Sequence, residues 1–467
     1  MTQLVWFRND LRTADNAALT AACKQGGPVR ACFIVTPGQW REHDWSPARL
    51  RFVVDHLNSL SRFLAELGIA TDILDADRFS DSLPLLRDLC RQHGVRQIHF
   101  NEEFGVNERR RDRQVRDGLA DDGIKVNKYR DQTVAPAGSI LTQQDEPYSV
   151  FTPFSRSWRQ WADEHQPGLY PVPTPVADAV RPVELATTLA GYDEAPEPLV
   201  PVGEKAAQQR LEHFLDEDAA DYKKLRDFPA VKATSRLSPY LANGVLSGRQ
   251  CWLAVNQRMQ AGGSSEGLFT WLTEIAWRDF YINILYHYPR VSMHRAFKPE
   301  TEALEWNQPG ENFEAWKAGQ TGVPIVDAAM RQLNQTGWMH NRLRMVTAMF
   351  LTKNLFVDWR LGEAYFMSKL VDGFLASNNG GWQWSASTGT DAAPYFRVFN
   401  PATQSERFDP KGEFIRRYVP ELESLDAKRI HQPWTGGVIP KGYPRPIVDL
   451  KDSRKAAIEK FQALKKD

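Results

Sequence analysis

Short apolar runs alternating with amphipathic stretches mark the first third of the chain. Residues 4–7, 29–35, 69–74 and 95–100 are rich in Val, Ile, Leu and Phe without strict alternation, as expected of parallel strands covered on both faces. Between them, residues 17–24, 48–67 and 82–93 repeat apolar positions at helical spacing. Strand–helix repetition of this kind predicts a doubly wound, Rossmann-like α/β domain. The turn after the first strand reads WFRNDLR and has no GxGxxG, which argues against a nicotinamide dinucleotide there. From 166 to 203 the periodicity stops. Pro167, Pro171, Pro173, Pro175, Pro182, Pro196, Pro198 and Pro201 predict a long connector. Beyond it the spacing is helical at 204–215, 248–259, 268–286, 325–333, 341–355 and 362–370, with no strand pattern. The expected division is an α/β domain over 1–135, a connector over 136–203 and an all-α domain over 204–467.

Composition adds little to this. The 467 residues are 42% hydrophobic and 25% charged, as in ordinary globular proteins. No apolar run is long enough to span a bilayer, and the first residues lack a signal pattern, so the expectation is a cytoplasmic protein. Cys23, Cys32, Cys90 and Cys251 are scattered and read as buried reduced thiols; no His or Cys spacing suggests a metal site. Formal net charge is zero, but its distribution is uneven. Residues 1–205 hold 24 Lys and Arg against 29 Asp and Glu, and residues 206–467 hold 34 against 29. A polyanion is therefore expected on the C-terminal part, through a local patch. Of the 15 tryptophans, most fall from Trp252 to Trp384.

Three segments there carry candidate chemistry. In TWLTEIAWRDFY, Glu274, Trp277, Arg278 and Tyr281 stand at i, i+3, i+4 and i+7 on one helical face. Such a face is either an exposed, ion-paired surface or the wall of a cavity for something flat and polar. In GWMHNRLRM, Asn341 and Met345 share a face, and an amide beside arginines suits base edges and phosphates. The stretch VDGFLASNNGGWQWSASTGTDAAPYF is rich in Gly, Asn, Ser and Trp and reads as irregular, with Trp382 and Trp384 facing opposite ways.

Together TSRLSPYLANGVLS, WRDFY, TGWMHNRLRM and NNGGWQWSASTGTDAAPYFR resemble the photolyase/cryptochrome family, and within it the bacterial class I cyclobutane pyrimidine dimer photolyases with a folate antenna. WFRNDLR near the start and EFIRRYVPEL near the end extend the resemblance over the whole length. It implies FAD in the helical domain, with phosphate-side contacts from Tyr222, Thr234, Ser235, Arg236, Leu237 and Ser238. Arg278 joins the cofactor contacts, Arg344 and Asp372 match an ion pair beside the isoalloxazine, and Asn378 matches the residue facing flavin N5. Glu274, Trp277, Asn341, Met345 and Trp384 match the pocket for a flipped-out dimer, and photolyases are among the base-flipping enzymes. Arg226, Arg342 and Gln404 match contacts to the DNA backbone. Trp306, Trp359 and Trp382 match an electron relay; on position alone they read as core aromatics. His43, Asn107 and Glu108 match the site of an antenna, 5,10-methenyltetrahydrofolate.

The implied activity is light-driven splitting of dimers in ultraviolet-damaged DNA by electron transfer from reduced FAD, in a monomer. Three positions depart from the pattern. Phe374 stands where the family's DGD has its second Asp, and Ser292 and Met293 replace a Cys-Lys pair whose cation would serve the folate tail. A (6-4) photolyase is disfavoured, because that group has histidines where Asn341 and Met345 stand. The rival from another class is a cryptochrome, a blue-light receptor without repair. Such receptors usually carry a long C-terminal tail, whereas this chain stops soon after its last helical stretch. A DNA-binding module without a cofactor would leave Asn378 and Asp372, expected to be buried, without a role.

Overall fold

The computed structural model describes residues 1–185, 194–263, 265–437 and 439–464. Residues 186–193 of the expected connector lie outside them. Among the described residues the strands are β1 (Thr2–Phe7), β2 (Val29–Val35), β3 (Ala70–Asp75), β4 (Val95–Asn101) and β5 (Lys125–Tyr129). They form one parallel sheet in the order β3-β2-β1-β4-β5, the doubly wound arrangement that the alternation predicted. Leu4, Val5, Trp6 and Phe7 of central β1 are all buried, with Trp6 edge-on to Phe100 at 5.5 Å. Helices α1 (Ala17–Lys24), α2 (Pro37–Glu42), α3 (Pro47–Glu66), α4 (Ser82–His93) and α5 (Val106–Ala120) accompany the sheet.

A strand and a helix of the sheet region were hidden by their composition. Strand β5, KVNKY, is a polar edge strand with no apolar run to announce it. Helix α5 is dominated by Arg and Asp, and two of its buried residues, Arg111 and Asp112, are an ion pair.

The remaining helices are α6 (Phe151–His165), α7 (Glu204–His213), α8 (Tyr222–Leu225), α9 (Ser238–Ala242), α10 (Gly248–Gln260) and α11 (Glu266–His287). After them come α12 (Glu311–Ala318), α13 (Pro324–Thr336), α14 (Asn341–Met349), α15 (Trp359–Met367) and α16 (Leu375–Ala386). The last are α17 (Pro401–Phe408), α18 (Glu413–Tyr418) and α19 (Leu450–Ala463). The expected helices at 204–215 and 341–355 both end in a π turn, at Phe214–Asp218 and Phe350–Asn354. Helix α6 lies inside the stretch read as connector, where Phe151, Phe154 and Trp158 recur at helical spacing ahead of the prolines.

The stretch read as irregular is another correction, because Leu375–Ala386 is α16. Tertiary packing overrides its poor helix propensity: the Trp382 ring meets Phe366 at 4.9 Å and Trp316 at 6.0 Å, both edge-on. Gly362 on α15 makes room for it, since a Cβ there would overlap the indole. Of the four free cysteines, Cys23 is only half-buried and the other three are buried as expected.

Contact density divides the chain into two units at places other than 135 and 203. Unit 1 is Met1–Ala220, Ser235–Pro289 and Val371–Phe374; unit 2 is Asp221–Thr234, Arg290–Leu370 and Leu375–Asp467. Unit 2 has a core of its own, which includes Trp316, Met330, Phe350, Trp359, Phe366 and Trp382. Among the described residues no helix is long and apolar enough to cross a membrane.

Candidate functional site

In unit 1 the polar stripe of α11 is as the spacing predicted. Glu274, Trp277, Arg278 and Tyr281 are all half-buried, between fully buried neighbours such as Ile275, Ala276 and Phe280. Arg278 donates from Nη1 to Gln132 O (2.6 Å) and from Nη2 to Leu241 O (3.3 Å). Its Nε is buried with no hydrogen-bond partner among the described residues. Phe374, the departure from DGD, lies 5.4 Å from this guanidinium, so a ring and not a carboxylate stands beside the cation. Asp372 is buried two residues earlier.

The stretch Ser235–Ser238 is held by its backbone. Arg210 Nε donates to Ser235 O at 2.8 Å, Arg236 adopts a left-handed φ of 52°, and buried Leu237 leads into α9. Such a turn leaves Ser235, Arg236 and Ser238 half-buried.

Unit 2 carries the other predicted residues. Tyr222 is buried on α8, with the Arg226 guanidinium 5.9 Å from its ring, and Thr234 is half-buried. His340 Nδ1 accepts from Arg342 N (3.2 Å) and so caps α14. Burial holds this imidazole near a pKa of about 4, which keeps the capping nitrogen free of a proton. The cap puts Asn341 on the exposed first turn and Met345 half-buried one turn later. Arg344 Nε donates to Met339 O at 2.9 Å. Arg342 pairs with Asp227 at 2.9 Å and lies over the Phe408 ring at 4.6 Å. Gln404 on α17 is half-buried, and its Oε1 has no partner among the described residues.

On α16, Asn378 donates from Nδ2 to Glu363 O (3.0 Å) and is half-buried, where full burial was expected. Trp382 is buried and Trp384 half-buried, so the two rings do differ in exposure. A helix explains this, because residues i and i+2 lie about 200° apart around its axis. The three relay candidates share one cluster. Trp359 and Trp382 are in the unit 2 core, and Trp306 packs on it from a half-buried position, with Phe356 at 4.8 Å.

The antenna candidates come together in unit 1, close to the C-terminal edge of the sheet, where doubly wound folds place ligands. Asn107 Nδ2 and Gln39 Nε2 stand 3.0 and 3.1 Å from His43 Nε2, and Glu108 Oε1 is 3.6 Å from His43 Nδ1. With both amides donating, the ring carries its proton on Nδ1, toward the carboxylate. Burial lowers the pKa of His43. Burial first, and then the Glu103 charge, push Glu108 up to about 7. A carboxyl that holds its proton more tightly than usual can donate as well as accept. Gln39 was missed, as was the parallel stack of Trp40 on Trp45 at 4.7 Å. Both lie in TPGQWREHDW, where the only local signal was Pro37 opening a short helix.

Two family models match the chain. Residues 3–176 match DNA photolyase, and residues 271–463 match the FAD binding domain of DNA photolyase. The chain belongs to the DNA photolyase family. It is 45% identical to the deoxyribodipyrimidine photo-lyase of Salmonella typhimurium, over 100% of this chain and 99% of that protein. It is 44% identical to the deoxyribodipyrimidine photo-lyase of Escherichia coli, with the same coverage. A bacterial class III photolyase from Agrobacterium tumefaciens superposes with a TM-score of 0.88 at 36% identity, covering 100% of this chain and 98% of that one.

Proposed function

We propose that this chain is a light-driven DNA repair enzyme that splits cyclobutane pyrimidine dimers. The full-length match to relatives named deoxyribodipyrimidine photo-lyase carries the reading, and favours repair over a cryptochrome-type receptor. The residues present fit FAD. A buried guanidinium Nε–H without a partner among the described residues (Arg278), together with serine and threonine hydroxyls, is a donor set for phosphate and carbonyl oxygens. When bound and reduced, FAD supplies the electron that opens the cyclobutane ring under light.

The protein's own residues bind and orient. In this reading Tyr222, Thr234 and the Ser235–Ser238 stretch take the phosphate side of FAD, and Arg278, Arg344, Asp372 and Asn378 take the ring side. Glu274 accepts a hydrogen bond from, or donates one to, the pyrimidine edge. Trp277 and Trp384 offer aromatic faces to the dimer, while the Asn341 amide meets a base edge and the Met345 thioether fills the remaining space. Arg226, Arg342 and Gln404 face the DNA backbone, and Arg342 then exchanges its Asp227 partner for a phosphate. Trp306, Trp359 and Trp382 refill the oxidised cofactor. His43, Asn107 and Glu108 hold the antenna, which we read as 5,10-methenyltetrahydrofolate. We also read the chain as a cytoplasmic monomer.

The test is an oligonucleotide carrying one cyclobutane dimer, mixed with the reduced holoenzyme and illuminated. Light-dependent loss of the dimer is expected, and persistence of the dimer overturns the reading. The absorption spectrum of the same sample distinguishes a folate band from a red-shifted deazaflavin band.

A further inference from the structure

Phe151 is the first residue of α6, in a stretch the sequence marked only as connector. Its ring lies parallel to the Trp277 indole, with centroids 3.5 Å apart and planes 8° from coplanar. Phe280 stands edge-on to both rings at 5.7 Å, and Tyr281 is tilted against the indole at 5.6 Å. Phe151 is buried, whereas Trp277 stays half-buried. One broad face of the indole is therefore covered by protein, and a ligand meets only what remains.

This stack is held at several levels along α6. Phe154 packs on Phe280 at 5.2 Å, one turn beyond Phe151. Trp158 Nε1 donates to Asp279 Oδ2 (2.9 Å), and the same oxygen accepts from Val134 N (2.8 Å). Arg159 Nη2 donates to Thr273 Oγ1 at 2.7 Å, and its guanidinium lies 4.1 Å from the Phe269 ring. Phe151 is thus a fixed ring on an anchored helix.

We propose that Phe151 is a positioning residue for dimer recognition that acts through Trp277. An indole free on one side would sample several χ1 and χ2 settings and lose that freedom on binding. The Phe151 stack removes those settings beforehand and dictates which face of Trp277 is presented, which is preorganisation. The effect belongs to the dimer and not to the phosphate backbone, since Phe151 carries no charge. The inference rests on the reading of Trp277 as a dimer contact.

The experiment is a double-mutant cycle in the full-length holoenzyme, in the dark. It measures affinity for an oligonucleotide with one cyclobutane thymine dimer and for its undamaged counterpart. Phe151→Ala is expected to weaken dimer binding about 2- to 10-fold, the range that one aromatic pair supports, and to leave undamaged binding and the flavin spectrum unchanged. Phe151→Leu, which keeps apolar volume without a ring face, changes dimer binding in the same direction, and Phe151→Tyr restores it. In a Trp277→Ala background, Phe151→Ala adds nothing. Equal losses on damaged and undamaged DNA, no loss at all, or an undiminished loss in the Trp277→Ala background overturns the proposal. If Trp277→Ala alone leaves dimer binding unchanged, the reading of Trp277 itself has failed, and the proposal falls with it.

Discussion

Replacing Asp279 by Asn turns the joint between α6 and α11 into a measurable pH effect. Asp279 is completely buried, accepts from Trp158 Nε1 and Val134 N, and has its other oxygen 3.5 Å from Arg278 Nη1. Burial pushes its pKa up from 3.8 to about 6, against the opposing pull of Arg278 and the two hydrogen bonds. The folded protein keeps this proton where the unfolded chain has lost it. The resulting stability is fully present below the unfolded value and is lost as pH rises through about 6. The full difference between the two values corresponds to about 3 kcal/mol, of which about 1 kcal/mol disappears between pH 5 and 7.5. Asp279→Asn keeps an acceptor for Trp158 and Val134 but does not titrate. Its deficit relative to wild type should therefore shrink by about 1 kcal/mol from pH 5 to pH 7.5. Asp279→Ala leaves two buried donors unpaired and should cost about 2–5 kcal/mol at either pH. Urea unfolding followed by far-ultraviolet circular dichroism at the two pH values measures both variants. A deficit for Asp279→Asn that is the same at pH 5 and 7.5, or larger at 7.5, refutes the reasoning.

Gly362→Ala should lower stability by about 1–3 kcal/mol, because its Cβ would overlap the Trp382 ring. The same variant should slow photoreduction of oxidised flavin, read by absorbance under blue light; an unchanged rate would remove Trp382 from the relay. Lys353 is buried, donates to Ser387 Oγ (2.8 Å) and Ala386 O (3.2 Å), and makes no salt bridge among the described residues. The cost of burying an ammonium without a carboxylate outweighs two such bonds. Lys353→Met should therefore leave thermal stability unchanged or raise it, and a loss above about 2 kcal/mol would reverse that ordering.

Periodicity made some features legible and hid others. Glu274, Trp277, Arg278 and Tyr281 declared a half-buried stripe because helical spacing alone sets which residues share a face. The stacking of Phe151 on Trp277 leaves no such trace, since the two rings are brought together by the packing of α6 on α11. Helix α16 was hidden by its own composition. Asn, Gly and Ser are poor helix formers, and only Phe366, Trp316 and the gap at Gly362 make a helix the best seat for Trp382. Strand β5 lacks an apolar run because an edge strand needs to bury little, and Lys and Asn there discourage further pairing. The cluster of His43, Asn107 and Glu108 was named by resemblance. Its geometry, with Gln39 as a fourth member, follows from loops that the pattern of apolar positions does not describe.

Unit 1 draws on three stretches of chain, and the last, Val371–Phe374, follows the first by about 150 residues. At ribosomal rates of roughly 5–20 residues per second, the nascent first stretch waits on the order of 10–30 s for its final piece. During part of that interval Arg12, Asp15 and Asp131 are already synthesised, while Arg249, which pairs with both aspartates in the finished fold, has yet to appear. Truncations that end near Ala220 should accumulate as aggregates and not as a folded α/β domain.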